Sequence, residues 1–293
     1  MSKAFIQLHV AVFLAGFTGI LGKLISLNEG LLVWYRLLIT AVSMWILYSV
    51  TKKIQAVSPK DRLKISGVGC IAAIHWVSFF GSIKYANISV ALVCFSAIGF
   101  FTALFEPIIT GKKFSWKDSL LGLLCILGIY IIFHFDPQYK TGIIIGMISA
   151  MLGALFPIFN RQFLQRINAE TVITYQITGG LAGLTILMPG YLQLFPVKTM
   201  IPTASDWGWL LVLSWICSVW AFQLSANALK KISAFTVNLS YNLEPVYGIL
   251  LAFLVYKENN FLDRSFYLGL SLIILAVVVQ TQRVYMNSRL NPG

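Results

Sequence analysis

Ten apolar segments, each about as long as a bilayer is thick, dominate this sequence. A helix needs about 20 mostly apolar residues to cross the hydrocarbon core. Only 11% of the 293 residues are charged and 58% are hydrophobic, whereas soluble domains carry about 25% charged residues. The chain is therefore predicted to be an all-α integral membrane protein with ten transmembrane helices, the first of them retained and not a cleaved signal peptide. The predicted ranges are 4–24, 31–50, 63–85, 88–110, 116–135, 142–163, 171–191, 207–229, 232–258 and 265–282.

The net charge of +12 is better explained by membrane orientation than by a nucleic-acid partner. If the N-terminus is cytoplasmic, 15 lysines and arginines face the cytoplasm and 6 face the other side, with Arg36 inside the second helix. Positive loops favour the cytoplasmic face, near anionic lipid. We expect a multi-pass protein of the cell (inner or plasma) membrane with both termini cytoplasmic. The expected partners are a small-molecule substrate and the lipid bilayer, without nucleic acid; a monomer is compatible with the sequence, which does not define the oligomeric state.

The second half of the sequence repeats the layout of the first. One alignment places Trp76 on Trp220, and another places Tyr35 on Tyr175. Repeats that contain five helices each must lie inverted in the membrane, and inverted repeats with a site at their interface are a transporter architecture. The predicted repeats are residues 1–137 and 138–293.

A carboxylate lies at the centre of the ninth apolar segment. Glu244 is followed by Pro245, which lacks an amide proton and kinks or breaks a helix. An ionisable group in the membrane is costly, and it is tolerated where it faces a bundle interior, a partner or water. A polar arc beside a broken helix therefore predicts a solute site, with protonation of Glu244 as a hypothesis for coupling. The alternative is that Glu244 only ties two helices together.

Other polar and aromatic groups lie at similar depth. His75 is either a cavity group or a core histidine bonded to a backbone carbonyl, and Trp76 and Trp220 suit the walls of a site for an apolar or aromatic solute. Arg36 either snorkels outward or captures a substrate carboxylate, and Glu106 is interpreted as a structural cap or a gate pair with a lysine. The predicted substrate-binding residues are His75, Trp76, Trp220, Gln223, Asn227, Asn238, Tyr241, Glu244, Tyr35 and Arg36. The predicted gating or structural residues are Glu106 and Pro245.

The layout and two motifs resemble the EamA-type branch of the drug/metabolite transporter superfamily. The motifs are WYRLLITA at 34–41 in the second helix and NLEPVYGILLAFLVYKE at 242–258 in the ninth. The resemblance implies a cavity lined by the third, fourth, eighth and ninth helices, with the first, second, sixth and seventh rocking around it. It also implies export or exchange of small metabolites, often amino acids or related compounds.

The sequence contains no His-Glu-x-x-His, Gly-x-Ser-x-Gly or Walker loop, and its four cysteines lack metal-like spacing. No enzymatic activity, cofactor or metal is therefore expected. The predicted function is secondary transport that exports or exchanges a small organic metabolite, an amino acid or related compound, by alternating access. The alternatives are a membrane-embedded enzyme acting on a lipid and a non-transporting sensor or scaffold. The sequence does not define the metabolite, its direction of transport or proton coupling.

Overall fold

The computed structural model describes residues 2–111, 113–135, 137–229, 240–241 and 243–290, and their regular structure is entirely helical. The α-helices are α1 (Ser2–Leu24), α2 (Glu29–Val50), α3 (Pro59–Tyr85), α4 (Ile88–Phe95), α5 (Ile98–Thr110), α6 (Trp116–Phe135), α7 (Lys140–Phe163), α8 (Ala169–Leu194), α9 (Ala204–Leu211), α10 (Ala221–Leu229), α11 (Glu244–Tyr256) and α12 (Arg264–Leu290). Short 3-10 turns cover Pro137–Tyr139 and Glu258–Asn260, and a π-helical stretch, Val212–Trp220, joins α9 to α10.

Seven helical segments of the described chain are long and apolar enough to cross a membrane: Lys3–Leu24, Glu29–Val50, Pro59–Tyr85, Ile88–Thr110, Pro137–Phe163, Ala169–Leu194 and Ala204–Ser225. Three shorter apolar helices cover Ser119–His134, Glu244–Tyr256 and Arg264–Val279. Each of these segments overlaps one of the apolar ranges predicted from the sequence. Because helices satisfy their own backbone hydrogen bonds, they suit the interior of a bilayer. The chain is therefore a membrane protein, and its described part is all-helical.

Polar N-caps fix where several helices begin. Asn28 accepts a hydrogen bond from the amide of Leu31 at the start of α2, and Asn168 accepts one from Thr171 at the start of α8. An N-cap side chain satisfies one of the amides that a helix leaves unpaired. Ser58 performs the same role for α3, which therefore starts at Pro59, four residues earlier than predicted.

The predicted helix over 88–110 is interrupted between α4 and α5. The amide of Ala97 bonds to the carbonyl of Cys94 at 3.0 Å, which is a tight turn. The hydroxyl of Ser96 bonds back to the carbonyl of Leu92 at 3.2 Å. A serine that bonds to its own helix backbone often bends the helix, and the apolar pattern alone does not reveal such a bend.

Glycines allow close helix crossings. A Cβ on Gly16 would lie 2.9 Å from the backbone oxygen of Glu244 and 3.0 Å from the amide nitrogen of Gly248. A Cβ on Gly128 of α6 would lie 2.6 Å from the oxygen of Gly269 in α12. Small residues let membrane helices approach each other closely. The crossing of α1 with α11 fixes the backbone beside Glu244.

Candidate functional site

The side chain of Arg36 is buried in the middle of the bundle. Its Nε donates to the Oγ of Ser218 at 3.1 Å, and its guanidinium lies 4.8 Å from the ring centre of Trp76 and 5.9 Å from that of Phe80. Ser218 lies about 21 Å along the helix axis from the start of α9 at the usual helical rise. With only 5% of its surface exposed, Arg36 does not snorkel outward, so that interpretation is wrong.

Glu244 occupies the first position of α11. Pro245 follows it within the first turn, where a missing amide proton breaks no helical hydrogen bond. The carboxylate therefore stands at a helix N-terminus, whose dipole favours negative charge. Glu244 is partly exposed, although it lies about 18 Å along α11 from Tyr256. A partly exposed carboxylate at this depth is suited to line an interior space.

Arg36 and Glu244 are near enough for their charges to interact. They form no ion pair with each other or with another described residue. Within the described residues, the terminal amino groups of Arg36 and the carboxylate of Glu244 also lack a protein hydrogen-bond partner. A buried charge without a partner carries a large desolvation cost. The free donors of Arg36 and the partly exposed carboxylate of Glu244 are therefore chemically able to bind groups of opposite charge.

His75 is held by α7. Its Nδ1 lies 2.8 Å from the carbonyl oxygen of Ser149 and 3.0 Å from the Ser149 Oγ, which also donates to the carbonyl of His75 at 3.1 Å. The ring packs among aromatic side chains that include Phe95 and Phe156. This arrangement matches the alternative of a core histidine bonded to a backbone carbonyl. His75 therefore joins α3 to α7, next to Trp76 in the sequence.

Two hydrogen-bonded groups connect α10 to its neighbours. The hydroxyls of Tyr241 and Ser225 lie 2.6 Å apart. Gln223 accepts from the hydroxyl of Tyr48 and donates to Asn227, both at 3.3 Å. Tyr241, Gln223 and Asn227 are all partly exposed, and they place polar atoms on the α10 side of the bundle.

Other predicted site residues lie apart from Arg36 or outside the described chain. The hydroxyl of Tyr35 bonds to the carbonyl of Met200, and its ring packs against Trp207, so Tyr35 contacts the connection before α9. The side chain of Trp220 is 50% exposed, unlike its predicted counterpart Trp76. Asn238 lies outside the described residues.

The two predicted gating or structural residues have different settings. Glu106 pairs with Arg161 of α7 across 3.3 Å, and most of the arginine side chain is exposed. The described ion pair therefore involves an arginine, where the sequence interpretation names a lysine. Pro245 is buried in the first turn of α11, and it marks where this helix begins.

Sequence reasoning missed the small polar residues that hold the site together. Ser218, Ser149 and Ser225 each bond to a candidate site residue, but serine is common in membrane helices as a packing residue. Ser218 lies 182 positions from Arg36. No local pattern in the sequence indicates contacts across such separations.

A separate apolar groove of about 390 Å³ lies between α5, α6 and α7. Its described walls are almost wholly hydrocarbon and include Phe101, Phe133 and Met147. Such walls match lipid acyl chains and offer little to a polar solute. The described residues contain no group of three or more His, Cys, Asp or Glu that could hold a metal ion.

Known proteins resemble this chain over both halves. Residues 2–134 and 140–281 each match the model of the EamA-like transporter family. An uncharacterized transporter of Haemophilus influenzae is 24% identical over 162 residues, which are 52% of this chain and 53% of that protein. The chain thus spans about half the length of this relative. YetK, an uncharacterized transporter of Bacillus subtilis, is 23% identical over 296 residues, which are 94% of this chain and 86% of the relative.

A solved crystal structure shares the fold. It superimposes with a TM-score of 0.63 at 16% sequence identity, and the match covers 96% of this chain and 98% of the other. At this identity the likeness concerns the helical architecture alone.

Proposed function

Because this chain belongs to the EamA-like transporter family, we propose that it is a secondary transporter that exports or exchanges a small organic metabolite by alternating access. The solute class is an amino acid or a related compound. The observation that carries this proposal is a pair of charges inside the bundle, Arg36 and Glu244, that are incompletely partnered among the described residues.

The chemistry of the two groups fits a small zwitterion. A guanidinium offers a planar fork of donors to a carboxylate, and Glu244 in its ionised form accepts hydrogen bonds from an ammonium group. The face of Trp76 already lies beside Arg36 and can accommodate an apolar solute side chain. The partly exposed Tyr241 and Gln223 add polar atoms on the α10 side.

The architecture that we propose is ten transmembrane helices in two inverted five-helix repeats, residues 1–137 and 138–293. The family model matches the chain twice, over 2–134 and 140–281. The N-caps Asn28 and Asn168 support the same division, because they start equivalent helices in the two halves. Inverted repeats give a transporter two exchangeable conformations around one site. We place both termini in the cytoplasm on the basis of the charge bias.

No specific observation favours either alternative function, a lipid enzyme or a sensor or scaffold. An enzyme acting on a lipid needs its reacting groups where the lipid headgroup lies, whereas Arg36 and Ser218 meet deep within the bundle. A sensor or scaffold has no need for two charges inside the bundle that lack protein partners among the described residues, because charges at this depth are costly. We therefore infer transport without catalysis.

Uptake into proteoliposomes tests the proposal. Purified protein is reconstituted, and the vesicles are offered a panel of labelled amino acids, amines and organic acids, with and without a proton gradient. We expect saturable uptake or exchange of at least one amino acid or related compound, which empty vesicles do not show. An absence of uptake and exchange across the panel, with correctly inserted protein, would contradict the proposed function.

Two charge-removing variants test whether the measured transport depends on Arg36 and Glu244. Arg36→Gln and Glu244→Gln should each lower transport, whereas Arg62→Gln and Asp263→Asn remove exposed charges and should leave it unchanged. Equal activity in all four variants would show that the charges of Arg36 and Glu244 do not hold the solute.

A further inference from the structure

Two aspartates occupy equivalent positions at opposite ends of the bundle. Asp206 is the third residue of α9 and forms a capping box with Thr203. Asp61 is the third residue of α3, and its amide bonds to the Oγ of Ser58. The spacing between cap and aspartate is the same in both cases, and the two aspartates are 145 positions apart, as are their caps.

Each aspartate also binds the short connection of the other half of the chain. Asp206 accepts the amide and the hydroxyl of Ser26, both at 2.7 Å. Asp61 accepts two hydrogen bonds from the guanidinium of Arg166, at 2.7 and 2.8 Å. Ser26 precedes α2 and Arg166 precedes α8, and they are 140 positions apart. Their N-caps, two residues later, repeat with the same offset.

The two contacts lie at opposite ends of α2. Ser26 is close to its first residue, Glu29, and Asp61 follows the turn after its last, Val50. A helix of this length spans about 33 Å, which is close to the thickness of the hydrocarbon core, about 30 Å. One contact therefore joins the two halves at each face of the membrane.

The two contacts differ in burial. Asp206 is only 2% exposed, and the same end holds further buried carboxylates. Glu258 accepts the amide and hydroxyl of Ser89 and pairs with Lys23, while Glu29 accepts the hydroxyl of Tyr191 at 2.6 Å. At the other end, the side chain of Arg166 is 55% exposed in its pair with Asp61. The Ser26–Asp206 contact is therefore the more buried of the two, since the Asp61 side chain is itself 16% exposed.

We propose that the Ser26–Asp206 and Arg166–Asp61 contacts are paired latches, and that opening at either end requires release of the latch at that end. The inference rests on the alternating access proposed above. Because the capping hydrogen bonds of each aspartate lie within its own helix, they can persist when the connection leaves. Each latch is thus a contact between the two halves that is distinct from the helix cap. Rocking of one half would separate its two partners.

Substitutions in the two latches should shift the balance between opening at the Asp206 end and opening at the Asp61 end in opposite directions. Ser26→Ala and Asp206→Asn weaken the buried latch and should favour opening at the Asp206 end. Arg166→Gln weakens the exposed latch and should favour opening at the Asp61 end. Hydrogen bonds to buried charged groups are worth more than exposed ion pairs, so we expect about a tenfold change for Asp206→Asn and about a threefold change for Arg166→Gln.

Alkylation of a reporter cysteine measures the opening. Ser225→Cys is a small change at a partly exposed residue of α10, and the native cysteines stay in place. Intact vesicles are treated with a membrane-impermeant maleimide from one face or the other, and modification at position 225 is quantified by mass spectrometry. Ser26→Ala and Asp206→Asn should raise the ratio of modification from the Asp206 face to modification from the opposite face. Arg166→Gln should lower that ratio.

Hydrogen exchange supplies a second readout that needs no reporter. The peptide containing Ser26 should exchange faster in Asp206→Asn and more slowly in Arg166→Gln, because the second variant favours closure at the Asp206 end. Asp263→Asn serves as the control, since this exposed aspartate precedes α12 and takes part in neither latch contact.

Unchanged ratios, or shifts of the same sign in both sets of variants, would overturn the latch proposal. If the protein still transports its solute, such a result leaves the proposed function intact. A failure of transport in the unmodified protein would instead count against the proposed function, whatever the labelling shows.

Discussion

The guanidinium carbon of Arg36 lies 4.8 Å from the ring centre of Trp76, so α3 presents an aromatic face to a cation on α2. A desolvated cation over an aromatic ring gains about 2 kcal/mol, which offsets only part of the cost of burying the charge. The ring therefore positions Arg36 without neutralising it. The remaining charge is available to a solute.

Replacement of Trp76 should weaken solute binding. Without the ring, the guanidinium loses its support and the solute loses an apolar wall, so Trp76→Leu is expected to raise KM for transport about tenfold. Trp76→Phe keeps an aromatic face and should retain more activity. Trp116→Leu is the matched control, because that side chain is 74% exposed. An unchanged KM in Trp76→Leu, with folded protein by size-exclusion chromatography, would remove the ring from the site.

Glu244→Gln should separate coupling from binding. The amide keeps the shape of the side chain but neither ionises nor carries a proton. If Glu244 carries the coupled proton, proteoliposomes containing the variant lose proton-driven accumulation and keep exchange of the labelled solute. Accumulation against a gradient with the pH dependence of the unmodified protein would assign coupling to another residue. Loss of both accumulation and exchange would instead indicate that Glu244 holds the solute.

The α1–α11 crossing should be intolerant of a single methyl group. In Gly16→Ala the new Cβ would meet backbone atoms at 2.9 and 3.0 Å, and backbone cannot move aside as a flexible side chain does. Overpacking of this kind costs about 1–3 kcal/mol, so the thermal unfolding temperature should fall. Gly67→Ala is the control, because no atom lies within 4 Å of its Cβ position. Similar melting temperatures for the two variants would argue against the close crossing.

Reporter fusions should place the two ends of the bundle on defined sides. Fusions after Arg62 and Lys113 are expected to report the cytoplasm, and a fusion after Lys198 the opposite side, because the positive loops favour the cytoplasmic face. The measurement is the ratio of activities of a reporter active only inside and one active only outside. A non-cytoplasmic result at Lys113 would contradict the proposed topology.

Local patterns predicted most helices well and their interruptions poorly. Apolar length sets a membrane helix because every buried backbone group must be bonded within the segment, and this applies to α1 and α2 regardless of their neighbours. The interruption at Ser96 depends on local bonding that apolar length does not reveal: the amide bonds to the carbonyls of Leu92 and Val93, and the hydroxyl bonds to that of Leu92. The start of α3 at Pro59 depends on the cap at Ser58, a local signal that the apolar pattern omits.

The charged groups of the candidate site could be identified from the sequence because they lie within apolar segments. Their hydrogen-bond partners could not. Arg36 and Glu244 are conspicuous because charge within a membrane segment is costly. Tyr35 is adjacent to Arg36 in sequence, yet it faces the connection before α9, because successive residues of a helix point in different directions. Ser218 could not be identified, since its role exists only where α2 meets the π-helical stretch.

The sequence by itself determined that this protein lies in a lipid bilayer, which segments span it and which of them contain charges. Each of these depends on the free energy of transferring a segment into lipid. Tertiary structure alone decided which charges have partners. Glu258 and Asp206 accept hydrogen bonds from residues more than 160 positions away, whereas Arg36 and Glu244 keep groups that no other described residue pairs with. Pairing depends on the distance between helices, and that distance is set by glycine crossings such as Gly16 with Gly248.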